Sequence, residues 1–549
     1  MIKKNLYQIV SIVICLLIGL SGCDFLDSLE GPKEGFSGLS VTAADCTYGG
    51  EIQSVAAVDA HTVTFKLCKP DAAFPAKIAA PIFAMQDQAV LNATGGDSNL
   101  LSENPVGTGA FRLQSWAKAA LISLQPSSSY WGTPALPGTV EFEWHDDPAK
   151  RYGFTTYVSV DGIDIPPATL ISLIKTNPQL KSIQHPLANV YYIGINNKAA
   201  PLDQVEVRRA ITIALDRAVI VQQVFPQGSE LAQQMAPVSV SPGHSDTLTW
   251  YGSNPRDARE QLVAINFDFN QEITIAVANS RMGYLENPGG IAALVKTQLE
   301  AIGLKVTIES MSLEELDQAI RSGDTMLYIN WFQADYADGT AYFDRLFVNE
   351  ANSLGDPYPE IQQEIVNSLS TADTKTRQEI FSRLNTLIYD QVPLIPLGYA
   401  TNLSIFRSSV NNVAANAYYE NFEDMSGIDT VIHYVGVREP VSLWPADEDD
   451  YQTFRITRLL YDTLLMPGFS GSAFKPLLAE NWQSSADLTE WTFDLRYNVR
   501  FSNNATFDAN DVVASFAAIW DASNPNHKGR TGEFAYYKRL FGNLLNDNQ

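Results

Sequence analysis

Between Glu206 and Asp390 the chain alternates stretches of helical period with short strand-like runs, and this alternation limits what it can build more than any other feature. Val207, Ala210, Ile211, Ala214 and Leu215 share one face of a helix read from Glu206 to Val224, the spacing of an amphipathic helix that packs on a core. Arg208 and Arg209 are expected off that stripe. A second amphipathic helix is read from Gly289 to Gly303, followed by a strand from Leu304 to Glu309. A third runs from Thr374 to Asp390 and is ended by Pro393, whose ring cannot continue it. Strands alternating with such helices imply open α/β lobes. At 549 residues the length corresponds to roughly three or four domains.

The N-terminus fixes the compartment. Lys3 and Lys4 precede an apolar run from Ile9 to Leu20, and Leu20-Ser21-Gly22-Cys23 follows, the pattern of a secretory signal with a lipoprotein cleavage box. The run falls short of the roughly 20 apolar residues that a membrane-spanning helix needs. Cleavage before Cys23 would place a lipid on its sulfur, and residues 24–44, rich in Gly, Ser and acids, would act as a flexible tether. The expected location is outside the cytoplasm, on the outer face of the cytoplasmic membrane.

Cys15 leaves with the signal and Cys23 is lipidated, so Cys46 and Cys68 remain as a pair that an oxidising compartment would join. The segment between them alternates apolar and polar residues around Asp59-Ala60-His61 and reads as two strands and a turn. Such a hairpin brings its open ends together. Closing the loop would contribute about 3 kcal/mol by the chain-entropy model.

Composition removes several functions. With 37 basic against 62 acidic residues and a formal net charge of −25, the chain lacks the Lys/Arg patch that phosphate neutralisation requires, so no nucleic-acid partner is expected. The acidic run Asp447 to Asp450 reads as a solvated loop and lacks the spaced ligands of a calcium loop. The six histidines, His61, His145, His185, His244, His433 and His527, are scattered, and no metal or cofactor is expected. Gly468-Phe469-Ser470-Gly471-Ser472 misses the last glycine of a nucleophile elbow, and no histidine is followed by Glu-x-x-His, so no catalytic residues are assigned and a secreted hydrolase is disfavoured.

One passage carries a resemblance. Pro476 to Phe516, PLLAENWQSSADLTEWTFDLRYNVRFSNNATFDANDVVASF, resembles the early part of the family 5 extracellular solute-binding proteins, which include the oligopeptide- and dipeptide-binding proteins of ABC importers. The segments expected after it, PVGTGAFRLQSW from Pro105 and EVRRAITIALDRAVI from Glu206, lie instead in the first half. Each segment occurs once, so the order is rotated, with the join at Phe422 to Pro445. We read a circular permutation; a truncated copy fused to a tail is the competing reading. The resemblance implies a two-lobe, three-domain α/β fold of the type II periplasmic-binding kind. Its domain I would comprise 105–190 and 401–474, domain III 191–400, and domain II the two ends, 45–104 and 475–549. Gly107 and Gly109, at one boundary, are turn residues, since no Gly-Lys-Ser/Thr follows.

The same resemblance locates a site. Asn330 to Phe343, NWFQADYADGTAYF, is similar to the family's cleft segment, in which an Asp pairs with the ligand's α-ammonium. Asp335 matches it. A carboxylate suits that task because its charge-assisted hydrogen bonds to an ammonium are short and strong, while Trp331, Phe332 and Tyr336 would supply apolar walls. An Arg six residues before that Asp helps hold the ligand in oligopeptide-binding relatives, and Ile329 stands here, leaving a fixed carboxylate anchor unassigned. Near Phe454-Arg455-Ile456-Thr457-Arg458 the chain also resembles a stretch that lends backbone to the cleft. The function implied is a monomeric, lipid-anchored binding protein that delivers a peptide or similar solute to an ABC permease by lobe closure. The alternative is a sensor presenting ligand to a membrane receptor.

Overall fold

The hairpin read between the two cysteines seeds one of the three large sheets found among the described residues, where a two-stranded fourth is also present. Ile52–Asp59 pairs antiparallel with Thr62–Leu67, Ala56 opposite Thr64, and the alternation buries Val55, Val63, Phe65 and Leu67 on one face. Cys46 and Cys68 are disulfide-bonded, their Cα atoms 5.5 Å apart. The computed structural model describes residues 36–157, 160–166, 171–349, 351–427, 429–467 and 474–547. The signal, Cys23 and the Gly468–Ser472 stretch lie outside them.

The first sheet has five strands, in the order Ser40–Thr42, Ile52–Asp59, Thr62–Leu67, Glu490–Leu495, Ala479–Ser484. The two ends of the sequence therefore share one sheet, Phe65 standing opposite Trp491 and Thr64 opposite Thr492. A layer of rings closes over the seam: Phe65 lies 5.7 Å from Phe493 and 4.8 Å from Phe516, which stacks on Phe83 at 4.9 Å. The helix Ala509–Trp520 carries Phe516, and its Asp511 and Ser515 side chains accept from the backbone amides of Gln88 and Gln86. Gly50 bridges Gly542, and the Asn543 amide donates to the Tyr48 carbonyl at 3.0 Å. Ser40–Thr42 pairs with Ile52–Asp59, which corrects the expectation of a free tether as far as Ala44. An open strand edge has backbone groups to satisfy, and these residues cover it.

A six-stranded sheet runs Glu230–Leu231, Leu394–Tyr399, Asn189–Ile195, Leu327–Gln333, Glu272–Ala278, Lys305–Met311, flanked by helices that include Gly289–Ala301 and Thr374–Gln391. A seven-stranded sheet runs Phe111–Ala117, Leu121–Pro126, Thr139–Trp144, Val431–Gly436, Gly162–Asp164, Leu403–Arg407, Leu180–Gln184. The expected strand after Gly303 and the helix before Pro393 are both present. Gly107 and Gly109 sit against the chain at Leu459–Tyr461, where an added Cβ would come within 2.2 Å and 2.5 Å of carbonyl oxygens.

Two sequence expectations are corrected here. The helix read from Glu206 to Val224 is two, Val205–Ala214 and Arg217–Val224, because the Asp216 side chain caps the second through the Val219 amide. Its apolar stripe is buried as expected, but Arg208 is also buried, 6 % exposed. Its guanidinium receives no carboxylate; it donates to the carbonyls of Leu202, Gln391 and Val392 at 2.6–3.0 Å. The last carbonyls of a helix have no partner within it, and the planar five-donor guanidinium of Arg208 satisfies them for Thr374–Gln391.

Two short crossovers join the six- and seven-stranded sheets, at residues 185–188 and 400–402. The Asn189 amide accepts from the Ala400 N–H and donates to the Ala400 carbonyl, both at 2.8 Å, which pins the crossovers together. Among the described residues, no helix is long and apolar enough to cross a membrane.

Candidate binding cleft

The strand Leu327–Gln333 lies inside the six-stranded sheet, antiparallel to Asn189–Ile195 and parallel to Glu272–Ala278. Leu327 and Tyr328 are paired on both sides, and the strand stays paired with Asn189–Ile195 as far as Gln333, so the segment beyond it leaves the sheet from a fixed support. The Ala334 amide donates to the Ala188 carbonyl at 2.9 Å, tying that exit to a crossover. Trp331 stacks on Tyr191 at 5.5 Å with planes 16° apart, and Tyr284 meets it edge-on at 5.8 Å. The Tyr191 hydroxyl donates to the Met282 carbonyl and accepts from the Tyr284 amide, so both rings are fixed.

A cavity of about 420 Å³ opens beside this strand end. Trp331 and Asp335 border it from the six-stranded side, and Tyr418, Tyr451, Phe454 and Tyr536 from the opposite wall. Phe332 reaches the same cavity but is only 3 % exposed, its ring against Tyr192 and Tyr342 and beneath the Arg345 guanidinium. Tyr336 borders two smaller neighbouring cavities of about 40 and 70 Å³. Ile329 is fully buried in its strand and offers no cation.

Asp335 accepts two hydrogen bonds from Arg539, from Nε at 3.2 Å and Nη2 at 3.1 Å. Arg539 belongs to the helix Ala535–Phe541, packed on the five-stranded body through Tyr537 and Phe541 against Phe83. It also holds Asp449 at 2.7 and 2.8 Å. Burial opposes the charge of Arg539, but Asp335 and Asp449 outweigh it and hold the guanidinium above its ordinary value. The Tyr536 hydroxyl donates to the Asp335 carbonyl at 2.7 Å and Tyr418 to that of Ala334 at 3.1 Å. Sequence reasoning missed Arg539, Tyr536 and Tyr418, which stand in segments that carry no local signal of a site.

The opposite wall is anchored from behind. Phe454 and Arg455 lie on the helix Tyr451–Leu460, and Phe454 borders the cavity. Arg455 is fully buried between Asp164 at 2.6 Å and Glu420 at 3.0 Å, and its Nη2 donates to the Tyr451 hydroxyl at 3.2 Å. Removing one partner of such a buried pair leaves an uncompensated charge, at about 3–5 kcal/mol. The acidic run before this helix is likewise no solvated loop. Asp447 accepts from the backbone amides of Arg530, Gly532 and Phe534, Glu448 pairs with Arg530, and Asp450 caps the helix through the Thr453 amide. A desolvated carboxylate persists only where such donors surround it, and those of Asp447 and Glu448 come from residues 80 or more positions away.

Tyr336 leads into a buried ionic cluster. Its hydroxyl donates to Asp344 at 2.8 Å. Lys77, 3 % exposed, stands 2.7 Å from Asp71 and 3.2 Å from Glu51. Burial pushes the carboxyls of Asp71 and Asp344 up, Asp344 to about 6, with Lys77 acting in the opposite sense. For Glu51 burial is outweighed by Lys77, which with Lys69 holds it below its ordinary value.

Known proteins with this sequence pattern and arrangement bind solutes. The family model for bacterial extracellular solute-binding proteins, family 5 (middle), matches residues 27–353 and 473–536. The dipeptide-binding protein of Escherichia coli K12 is 24 % identical over 383 residues, covering 68 % of this chain and 71 % of its own. Heme-binding protein A of Haemophilus influenzae is 20 % identical over 382 residues, covering 68 % and 70 %. Among solved structures, HbpA2 from Haemophilus parasuis superposes with a TM-score of 0.63 at 22 % identity, over 69 % of this chain and 76 % of that one. The dipeptide-binding protein of Pseudoalteromonas sp. SM9913 in complex with Met-Leu gives 0.57 at 18 % identity, also over 69 % and 76 %.

The Asp344 carboxyl makes a pH prediction of definite sign. Its folded value near 6 lies above its ordinary 3.8, so its contribution is complete below about pH 4 and lost as pH rises through about 6. Asp344→Asn should therefore gain stability relative to the natural chain between about pH 4 and 7.5, by roughly 2 kcal/mol. Urea midpoints of both proteins across that range measure it, and a difference that stays flat overturns the assignment.

Proposed function

Because this chain belongs to family 5 of the bacterial extracellular solute-binding proteins, whose two-lobe α/β fold it shares, we propose that it captures amine-bearing peptides or similar small solutes. It is a binding protein and not an enzyme. The observation that carries the ligand class is Asp335, set at the end of a fixed strand and facing an aromatic wall across a cavity of about 420 Å³. The ligand's ammonium pairs with Asp335, its apolar parts lie against Trp331, Phe332 and the smaller cavity beside Tyr336, and closure removes water from the pair. Ligand shifts the lobes toward the closed arrangement by its differential affinity for that arrangement, and an ABC permease in the membrane receives the solute. The E. coli and Pseudoalteromonas relatives, named for dipeptides, support the peptide reading.

In this reading the protein is a monomer held at the outer face of the cytoplasmic membrane by a lipid on Cys23. The chain is a circular permutation of the family order, with domain II made from 45–104 and 475–549, domain I from 105–190 and 401–474, and domain III from 191–400. The shared five-stranded sheet and the family match in two pieces support the rotation.

Three measurements test these readings. In calorimetry with Met-Leu, Asp335→Asn should weaken binding at least about tenfold, the value of one charge-assisted hydrogen bond, with an unchanged melting temperature of the free protein. Equal affinity of the two versions refutes the anchor. Cys23→Ser should move the expressed protein from the detergent phase to the aqueous phase; continued membrane partitioning counts against lipidation. A rearranged chain from Asp429 to Gln549, a short Gly/Ser linker, then Phe36 to Ile428, should fold and bind as the natural order does. Its failure to fold would refute the permutation reading.

A further inference from the structure

Asp335 already has a cationic partner on the opposite wall, and that partner is shared. Arg539 spends Nε and one Nη2–H on Asp335 at 3.2 and 3.1 Å. It spends Nη1 and the other Nη2–H on Asp449 at 2.7 and 2.8 Å, the shorter contacts. Its guanidinium also lies over the Tyr536 ring, 4.6 Å from the centroid. Two carboxylates divide one guanidinium, so the triad retains one uncompensated negative charge. A single incoming ammonium brings it to neutrality. Arg539 can give up Asp335 without being stranded, because Asp449 and the ring retain it.

Other cations that border the cavity do not fill this role. Arg321 is held by Asp317 at 2.8 Å on its own helix, and Arg345 stands over Phe332. Among the described residues it is Arg539 that crosses from the five-stranded body to Asp335. With Asp335 18 % and Arg539 21 % exposed, the pair is desolvated enough to matter and wet enough to exchange.

We propose that Arg539 is a specificity-determining competitor for the ligand's amine: it holds Asp335 from across the cleft and yields it, remaining on Asp449, only to a ligand that brings its own positive charge. This deepens the reading of Asp335 as the ammonium anchor and rests on it. A neutral or anionic solute that pushed Arg539 aside would leave a half-buried carboxylate uncovered, which is costly. An amine replaces what it displaces. The competition therefore lowers affinity for amines, while a ligand without an amine is confined to binding with the Arg539–Asp335 pair intact.

Calorimetry with Met-Leu, N-acetyl-Met-Leu and Met-Leu amide on Arg539→Gln, Asp449→Asn and Asp335→Asn tests this. Arg539→Gln should bind Met-Leu tighter by about fivefold, the value of a partly exposed pair, and gain nothing for the acetylated form. Asp449→Asn should bind it more weakly, because Arg539 is then left with Asp335 alone. A merely structural triad would weaken binding in both variants. If Arg539→Gln loses affinity for Met-Leu but not for its amide, Arg539 is a carboxylate anchor and the competition is wrong. If Asp335→Asn binds Met-Leu like the natural chain, the anchor reading itself fails. X-ray scattering of the protein without added peptide supplies an arm that needs no ligand: Arg539→Gln should have the larger radius of gyration, and an unchanged radius overturns the cross-cleft hold.

Discussion

The pairing of Thr62–Leu67 with Glu490–Leu495 is the constraint on which the rest of the molecule depends. It joins segments more than four hundred residues apart, and without it the hairpin Ile52–Leu67 would keep only the three-residue strand Ser40–Thr42 as a neighbour, too little sheet to be stable by itself. The ring layer of Phe65, Phe493, Phe516 and Phe83 makes the pairing specific, because a one-residue slip would turn every ring on these strands to the opposite face. The same body carries Arg539 and Tyr536 to the cleft. A site residue on one wall is therefore positioned by a ladder that closes only after nearly all of the chain is in place. Loop-closure entropy has to be met before contacts of such separation reward it.

The opposite wall uses charge where the seam uses rings. Arg455, Asp164, Glu420, His185 and Ser404 form a buried network beneath the aromatic residues. Such a network adds little net stability relative to an apolar core, but each member is oriented by the others. The Tyr451 hydroxyl takes its direction from Arg455, and the neighbouring Tyr419 ring lies under Arg458, which is paired with Glu423. Aromatic walls fixed in this way can face a cavity without rearranging into it, and that makes the cavity's shape a property of the fold.

What could be read in the sequence was local. Alternation between Cys46 and Cys68 gave the hairpin, the 207–215 stripe gave a buried helix face, and the segment around Asp335 stood out through its resemblance to the family's cleft segment. What could not be read was every interaction whose partners are far apart. Arg208 looks like an off-stripe surface residue because periodicity reports hydrophobicity and not the carbonyls of a helix that ends at residue 391. The acids at 447–450 look solvated because a run of like charge says nothing about amides at 530–534. Arg539 sits on a seven-residue helix with no pattern of its own, so only the folded chain brings it to Asp335.

The hinge explains why the two walls need different kinds of fixing. Residues 185–188 and 400–402 are the two connections between the six- and seven-stranded bodies, and Asn189 bonds them side by side. Two adjacent connections resist shear and twist more than they resist bending, so the lobe closure proposed above would turn mainly about the line through them. Asp335 leaves its sheet one residue after a backbone bond to Ala188 and therefore lies close to that line. A group near the axis moves little as the cleft opens, whereas groups farther out on the facing wall sweep through a longer arc. Under the proposed closure Asp335 would stay nearly in place, together with the Asp335 and Ala334 carbonyls that Tyr536 and Tyr418 hold in this structure.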